Sequence, residues 1–364
     1  MKLLGKISTL LKPEHLVLLL LFNIHYSLFY LTKILIIRFS SIGDIVLASP
    51  VFRCVKQQLP DAKVHLLTKE SFRKVTEANP FIDQFFYFKD DLKSLIAKLK
   101  EENYDVVIDL HDNLRSNKIK RALKKKAYTI DKLSWPKFLL TNFNINRMPG
   151  RHITLRSLDT VQALGVKDDG LGLDYFIPEK DRVYADDLPT SHQAGFIALV
   201  IGATYFTKKL PLHQLQELCR LIDHPIVLVG GSEDQQMGEA VRQVDTGKIY
   251  NACGKFNLNE SADIVRQSKL VISHDTGMQY IAAALQKQVI AIWGGTSPKL
   301  DVAPYYGSAG KNKEGEMYDN FLLDIRCQPC SRYGTDKCPL EHFDCMEKLS
   351  MAKIAERVMK RLGR

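Results

Sequence analysis

Residues 33–44 read Lys-Ile-Leu-Ile-Ile-Arg-Phe-Ser-Ser-Ile-Gly-Asp. The first six form a short β-branched run suited to a buried parallel strand. A turn of small residues follows, and then helical spacing over 45–58 that stops at Pro60. Strand, turn and helix in this order build parallel sheets covered on both faces. The unit recurs along the chain. Further strand signals lie at 63–68, 105–110, 196–201, 225–229, 269–273 and 288–292. Helical signals lie at 91–103, 114–126, 211–222, 233–243, 259–267, 277–286 and 347–362. Residues 127–191 give mixed signals, broken by Pro136, Pro149, Gly150, Gly165, Gly170 and Pro178.

A chain of 364 residues exceeds what one hydrophobic core usually supports. The reading divides it into an apolar extension (1–32), a first α/β domain (33–185), a second (186–346) and a closing helix (347–364). Two such domains bind ligands beyond the carboxyl ends of their strands, in the cleft between them. Apolar residues at 45% and charged residues at 25% exclude a disordered, collagenous or polytopic membrane chain. The formal charge of +10 suits an anionic partner: nucleic acid, a phospholipid surface or a phosphorylated substrate. The seven cysteines are an odd count, and Cys54, Cys219 and Cys253 stand singly in apolar segments, which favours a reducing compartment.

Before the first strand, Leu16–Phe22 form a clean apolar run preceded by Lys2, Lys6 and Lys12. A span needs about 20 apolar residues, more than this run supplies, and no small-residue cleavage site follows. Two readings stand: a helix lying on a membrane or on the domain, and an extension upstream of the true start.

Three turns carry chemistry. In Ser40-Ser41-Ile42-Gly43-Asp44, Gly43 permits close approach by a ligand, and Asp44 sits at a helix start as either a functional carboxylate or an N-cap. Ser273-His274-Asp275-Thr276-Gly277 joins a strand to a helix, where backbone N–H groups and the helix dipole favour anions; Asp275 can also be only a cap. Gly202-Ala203-Thr204, followed by Lys208-Lys209-Leu210-Pro211, is a small-residue turn with a cation before a helix. No Walker or dinucleotide fingerprint is present.

In this order the turns resemble glycosyltransferase family 9, the bacterial heptosyltransferases of lipopolysaccharide core assembly. The resemblance runs from about Lys33 onward. It rests on Arg38-x-Ser40-Ser41-x-Gly43-Asp44, Asp109-Leu110-His111-Asp112-Asn113-Leu114-Arg115-Ser116, Gly202-Ala203-Thr204 with Lys208, Cys253-Gly254-Lys255, Asp275-Thr276-Gly277 with Ala282-Ala283-Ala284-Leu285, and Gly294-Gly295-Thr296-Ser297-Pro298. It implies an α/β fold of two Rossmann-like domains facing across a cleft, the GT-B architecture, with acceptor in the first domain and nucleotide sugar in the second.

The resemblance also implies inverting transfer from a nucleotide sugar, commonly ADP-heptose, to a lipid-linked lipopolysaccharide core acceptor, with no cofactor or metal required for catalysis. Asp44 would take the acceptor proton. Lys208 and the amides at Thr276 and Gly277 would stabilise the departing diphosphate, with Thr204 and Asp275 beside them. Glu233 matches the ribose-binding position, although a carboxylate at a helix start is often a cap. Ser41, Gly43, His111 and Arg115 would face the acceptor, and Arg115 reads equally as a solvated surface cation. Two departures stand out: Tyr280 occupies the place of a usual His, and Leu210 that of a usual Trp. Lys209 is the adjacent alternative to Lys208.

Lys118, Lys120, Arg121, Lys124, Lys125 and Lys126 read either as a solvated face or as a dock for anionic lipid on the inner face of the cytoplasmic membrane. No aromatic interleaving accompanies them, so nucleic acid is not an expected partner. Cys327, Cys330, Cys338 and Cys345 could wrap a structural zinc; free thiols and a redox-labile disulfide pair are the other readings. A non-catalytic binding protein for a nucleotide or anionic glycolipid is the alternative function. It would keep the turn at Thr276 but need no base.

Overall fold

The computed structural model describes residues 33–308 and 314–363; segment 1–32, with both readings of it, lies outside the described residues. Among these, two all-parallel sheets form. The first contains β1 (Lys33–Ile37), β2 (Lys63–Lys69), β3 (Gln84–Phe88), β4 (Val106–Asp109) and β5 (Lys126–Thr129) in the order β3-β2-β1-β4-β5. The second contains β6 (Ile197–Val200), β7 (Ile226–Val229), β8 (Ile249–Asn251), β9 (Leu270–His274), β10 (Val289–Ile292) and β11 (Tyr318–Phe321) in the order β11-β10-β9-β6-β7-β8.

Unbroken apolar strands follow from burial on both faces. In β1, Ile34 and Ile36 pack with Val51, Phe52 and Val55 of the helix Ser49–Gln58. Leu35 and Ile37 point the other way, onto Leu95, Leu99, Ile119 and Leu123 of the helices Leu92–Glu101 and Leu114–Leu123. The second sheet repeats this: Ala198 and Val200 enter one core, Ile197 and Leu199 the other. The helix Met351–Arg361 buries Ile354, Ala355 and Val358 in that latter core, so the closing helix covers the second sheet.

Each sheet reverses its strand order once, between β1 and β4 in the first and between β6 and β9 in the second. Ligand crevices form where the order reverses, outside the carboxyl ends of the strands. The turns after β1, β4, β6 and β9 are the ones that carry the sequence motifs.

Two helical segments depart from the sequence reading. The helix expected over 45–58 is two, Ile42–Leu47 and Ser49–Gln58, because Pro50 has no N–H to continue the ladder. The stretch 114–126 is helical only to Leu123, and Lys126 opens β5. Within 127–191 stand the helices Ser134–Phe143 and Ile153–Asp159. Leu173, Tyr175 and Val183 pack with the second sheet's core, and Arg182 pairs with the buried Asp263 at 2.8 Å.

Candidate active site at the domain interface

The helices Ile42–Leu47 and Gly277–Ala284 meet at their N-termini. A side chain at Gly277 would stand 2.6 Å from Ile42 Cγ2 and 3.2 Å from the Gly43 nitrogen, and one at Gly43 would stand 2.7 Å from the Tyr280 ring. Only glycine permits this approach at both positions. Asp44 and Thr276, the neighbours of the two glycines, are thereby carried to one interface, where two positive helix ends converge.

On the first domain's side, Asp44 is both a helix-start residue and the centre of a polar knot. One carboxylate oxygen accepts from the Ser41 amide (3.0 Å) and the Ser41 hydroxyl (2.8 Å). The other pairs with Arg38 at 2.6 Å. Arg38 is fixed in turn by the Ser40 carbonyl (3.0 Å) and the Leu110 carbonyl. Burial pushes the Asp44 carboxyl upward, but the Arg38 charge and the Ser41 hydrogen bonds outweigh it and hold its pKa below the ordinary carboxylate value. Asp44 is therefore ionised at neutral pH.

His111 lies edge-on to Phe39, with ring centroids 5.3 Å apart, and its Nδ1 is buried without a partner among the described residues. Burial, reinforced by Arg38 and Lys132, lowers its pKa to about 4, so the imidazole is neutral. Arg115 is exposed and stands 5.5 Å over the Phe88 ring. Lys137 escaped the sequence reading. It sits on the helix Ser134–Phe143 within range of the Asp44 charge, and burial, with Arg156 adding to it, lowers its pKa to about 8. Arg332 of the second domain donates to the Ser134 carbonyl at 2.7 Å, which ties this helix across the cleft.

On the second domain's side, Thr276 caps the helix Gly277–Ala284 by accepting from the Met278 amide at 3.2 Å. Asp275 is more than a cap. Its Oδ2 receives Lys208 (2.7 Å) and the Thr296 hydroxyl (2.7 Å), and its Oδ1 the Tyr280 hydroxyl (3.1 Å). Tyr280 also reaches the Val302 carbonyl at 2.8 Å. Where a His was expected, Tyr280 thus holds Asp275 and packs on Gly43. The geometry separates the two lysines. Lys208 joins this cluster, whereas Lys209 pairs with the buried Asp234 at 2.8 Å.

Asp234 also accepts from the Gly231 amide at 3.1 Å, so it takes the capping role that threatened the reading of Glu233. Glu233 is exposed, as is Thr204 on the turn after β6. Among the described residues, the one set of three metal-donor groups within 4.8 Å is Cys54, Asp168 and Asp169. Arg53 grips Asp169 at 2.7 Å, and Ser308 binds Asp168 at 2.6 Å, so those carboxylates are structurally engaged.

The assembled groups are an ionised carboxylate, cations on both sides of the interface (Arg38 and Lys137 on one, Lys208 on the other) and a helix end whose dipole favours anions. Such a set can take a proton from a neutral hydroxyl while holding a group that becomes more negative.

The family profile of glycosyltransferase family 9 (heptosyltransferase) matches residues 92–332. Lipopolysaccharide heptosyltransferase 1 of Campylobacter coli is 25% identical over 311 residues, covering 79% of this chain and 89% of that protein. Lipopolysaccharide heptosyltransferase 3 of Escherichia coli K12 is 26% identical over 286 residues, 70% of this chain and 80% of that protein. The E. coli ADP-heptose lps heptosyltransferase II structure superposes with a TM-score of 0.67 at 17% identity, covering 91% of this chain and 98% of that one.

Proposed function

The chain belongs to glycosyltransferase family 9, and from that premise we propose that it transfers a heptose from ADP-heptose to a lipid-linked lipopolysaccharide core acceptor, with inversion and without a catalytic metal. The fold is the two-domain GT-B architecture of the E. coli heptosyltransferases it superposes on. The names of the relatives support the sugar and the acceptor class.

The acceptor hydroxyl oxygen bonds to the anomeric carbon as the bond from that carbon to the β-phosphate oxygen breaks, on opposite faces of the sugar. The hydroxyl proton goes to Asp44 and the diphosphate leaves with the extra negative charge. A carboxylate with a depressed pKa is a weak base toward a free alcohol. It becomes adequate as the new bond makes the hydroxyl strongly acidic, so proton transfer comes late. Lys208, the Thr276 hydroxyl and the first amides of the helix Gly277–Ala284 receive the diphosphate; Asp275 and Tyr280 hold Lys208 in position until then. Thr204 contacts phosphate oxygens and Glu233 the ribose. His111, Arg115, Ser41 and Gly43 border the acceptor.

We further read the first domain as the membrane-facing one, docked on the anionic inner face of the cytoplasmic membrane. Lys118, Arg121, Lys124, Lys125 and Lys126 are exposed. On the next helix Trp135 is 67% and Phe143 61% exposed, with Phe138 packed between them. Aromatic side chains beside cations suit the interface of an anionic bilayer. No helix among the described residues is long and apolar enough to cross a membrane.

The observation that carries the reading is the ionised Asp44–Arg38 pair set against the Thr276 helix end. The test is incubation with ADP-heptose and a series of truncated lipopolysaccharide acceptors, heptose-free and heptose-bearing. A product one heptose heavier is expected; no transfer from any nucleotide sugar would overturn the reading.

A further inference from the structure

Tyr280 touches the donor cluster with its hydroxyl and the first domain with its ring. The ring lies so close to Gly43 that a Cβ there would stand 2.7 Å from it. The side chain is buried. Burial, with the Asp275 charge adding to it, raises its pKa well above the ordinary phenol value, so the proton stays on the oxygen.

That single proton has two acceptors and can point fully at only one of them. The Val302 carbonyl lies at 2.8 Å, the usual O–H···O distance, and Asp275 Oδ1 at 3.1 Å. The phenol therefore favours Val302. Asp275 can spare it, because its other oxygen receives Lys208 and the Thr296 hydroxyl at 2.7 Å each.

Val302 sits in the middle of a contact between the domains. The carbonyl before it, of Asp301, accepts from the Ile153 amide at 3.0 Å. The carbonyl after it, of Ala303, pairs with His152 Nε2 at 2.9 Å. His152 Nδ1 accepts from the Thr154 amide at 3.2 Å, which places the ring proton on Nε2 as the donor to Ala303. These residues open the helix Ile153–Asp159, whose Leu158 lies in a core of the first sheet. The Thr154 hydroxyl donates to the carbonyl of Leu47, the last residue of the helix that carries Asp44, at 2.9 Å. Three successive carbonyls, 301–303, thus serve Ile153, Tyr280 and His152 in turn.

We infer that Tyr280 is a positioning residue that couples filling of the diphosphate site to the contact between the domains. The inference rests on the donor reading above, in which the diphosphate draws Lys208 to itself. Asp275 then loses its cation, and a buried carboxylate left short of donors is costly. A hydrogen bond to a charged oxygen is stronger than one to a neutral carbonyl. The phenol O–H accordingly rotates from Val302 to Asp275, with no covalent bond made or broken. The Val302 carbonyl loses its partner, and segment 301–303 loosens on Ile153 and His152. The two orientations of one hydroxyl are the two-state element that both sites bias. By reciprocity, a first domain held firmly on 301–303 weakens diphosphate binding.

The test is hydrogen–deuterium exchange of the full-length protein with and without ADP, read by mass spectrometry on peptides spanning Ile153, beside calorimetry with ADP. ADP should speed exchange at the Ile153 amide several-fold. Tyr280→Phe keeps the ring on Gly43 and removes the proton. Exchange at Ile153 should then be fast without ADP and unmoved by it, and the Kd for ADP should rise about ten-fold. In a Lys208→Ala background no lysine has to leave Asp275, so the same substitution should change that Kd by less than about two-fold. A merely structural role would give equal effects in both backgrounds. If a variant does not fold, exchange in the unaltered chain decides the matter. ADP binding that leaves Ile153 exchange unchanged or slower, or equal effects in the two backgrounds, would overturn the coupling and leave the donor reading standing. Failure of the unaltered chain to bind ADP would overturn the donor reading and the coupling with it.

Discussion

Gly43 and Gly277 stand against each other across the domain interface, and the ideal Cβ position of Gly277 falls only 3.2 Å from the Gly43 nitrogen. Backbone contact at this point sets how closely the two lobes approach. It brings Asp44 of one lobe and Thr276 of the other to the same place.

Gly43→Ala should therefore separate the lobes rather than simply overfill a core. Its methyl would meet the Tyr280 ring at 2.7 and 2.9 Å, and that ring is buried and held through its hydroxyl by Asp275 and Val302. Overpacking of this kind costs about 1–3 kcal/mol. Urea denaturation should show a loss in that range, with transfer activity falling further than donor binding. Unchanged activity would mean that the interface yields freely.

The adjacent lysines should differ in their effect on donor binding, although each neutralises a buried carboxylate. Lys208→Ala should weaken nucleotide-sugar binding and the chemical step, and because it also strands the buried Asp275 it should cost stability on a similar scale to the loss of Lys209. Lys209→Ala strands the carboxylate of Asp234, which is 4% exposed. It should cost roughly 2 kcal/mol, less than the 3–5 of a fully buried pair, because Lys209 is itself partly exposed. Isothermal calorimetry with ADP-heptose, together with thermal denaturation, separates the two effects.

The pH profile follows from two shifts of opposite consequence. Asp44 is held below the usual carboxylate value, so both activity and its ion pair with Arg38 persist above the unfolded pKa near 3.8 and are lost as pH falls through the lower folded value. Arg38→Met removes the charge that depresses it, and the acid limb of kcat should move to higher pH. On the alkaline side Lys137, lowered by burial to about 8, sheds its charge as pH rises through that value. Lys137→Met should abolish an alkaline limb near pH 8 in kcat/KM for the acceptor. An acid limb unmoved in the Arg38 variant would remove this account of Asp44.

Membrane docking has a native reporter, since the chain has two tryptophans and Trp293 is fully buried. Phosphatidylglycerol vesicles should shift the emission of Trp135 to the blue. The shift should weaken with salt, as attraction between exposed charges is screened over about 8–10 Å near physiological ionic strength. Replacing Lys124, Lys125 and Lys126 with Glu should diminish it. An unchanged spectrum with every vesicle would argue against this face.

Much of the fold was legible because buried parallel strands are written in apolar runs. β1, β4, β6, β7, β9 and β10 are such runs, and all were read from sequence within a few residues. β3, β5, β8 and β11 were missed: all four are edge strands, and Lys-Ala-Tyr-Thr (126–129) has no apolar run to detect. The helix Ser134–Phe143 was obscured by Pro136. In the first turn, however, a proline removes only an N–H that has no intrahelical partner.

The site was legible wherever a small-residue turn followed a strand. Arg38 was quoted without a role, because its pairing with Asp44 depends on how the turn closes. Lys137 could not be found at all. Its importance comes from a helix folding back over the cleft, which no local spacing records. Which of the two adjacent lysines joins Asp275 was not legible either, because it depends on how the turn after β6 closes.

The central claim is that Asp44 takes the acceptor proton while the second lobe holds the diphosphate. Its most direct test is the single-turnover rate of heptose transfer by Asp44→Asn, measured beside the Kd for ADP-heptose. General-base removal should slow the chemical step by roughly 10²–10⁴, with donor affinity nearly unchanged. Transfer at close to the unaltered rate, with donor bound equally well, would contradict the account.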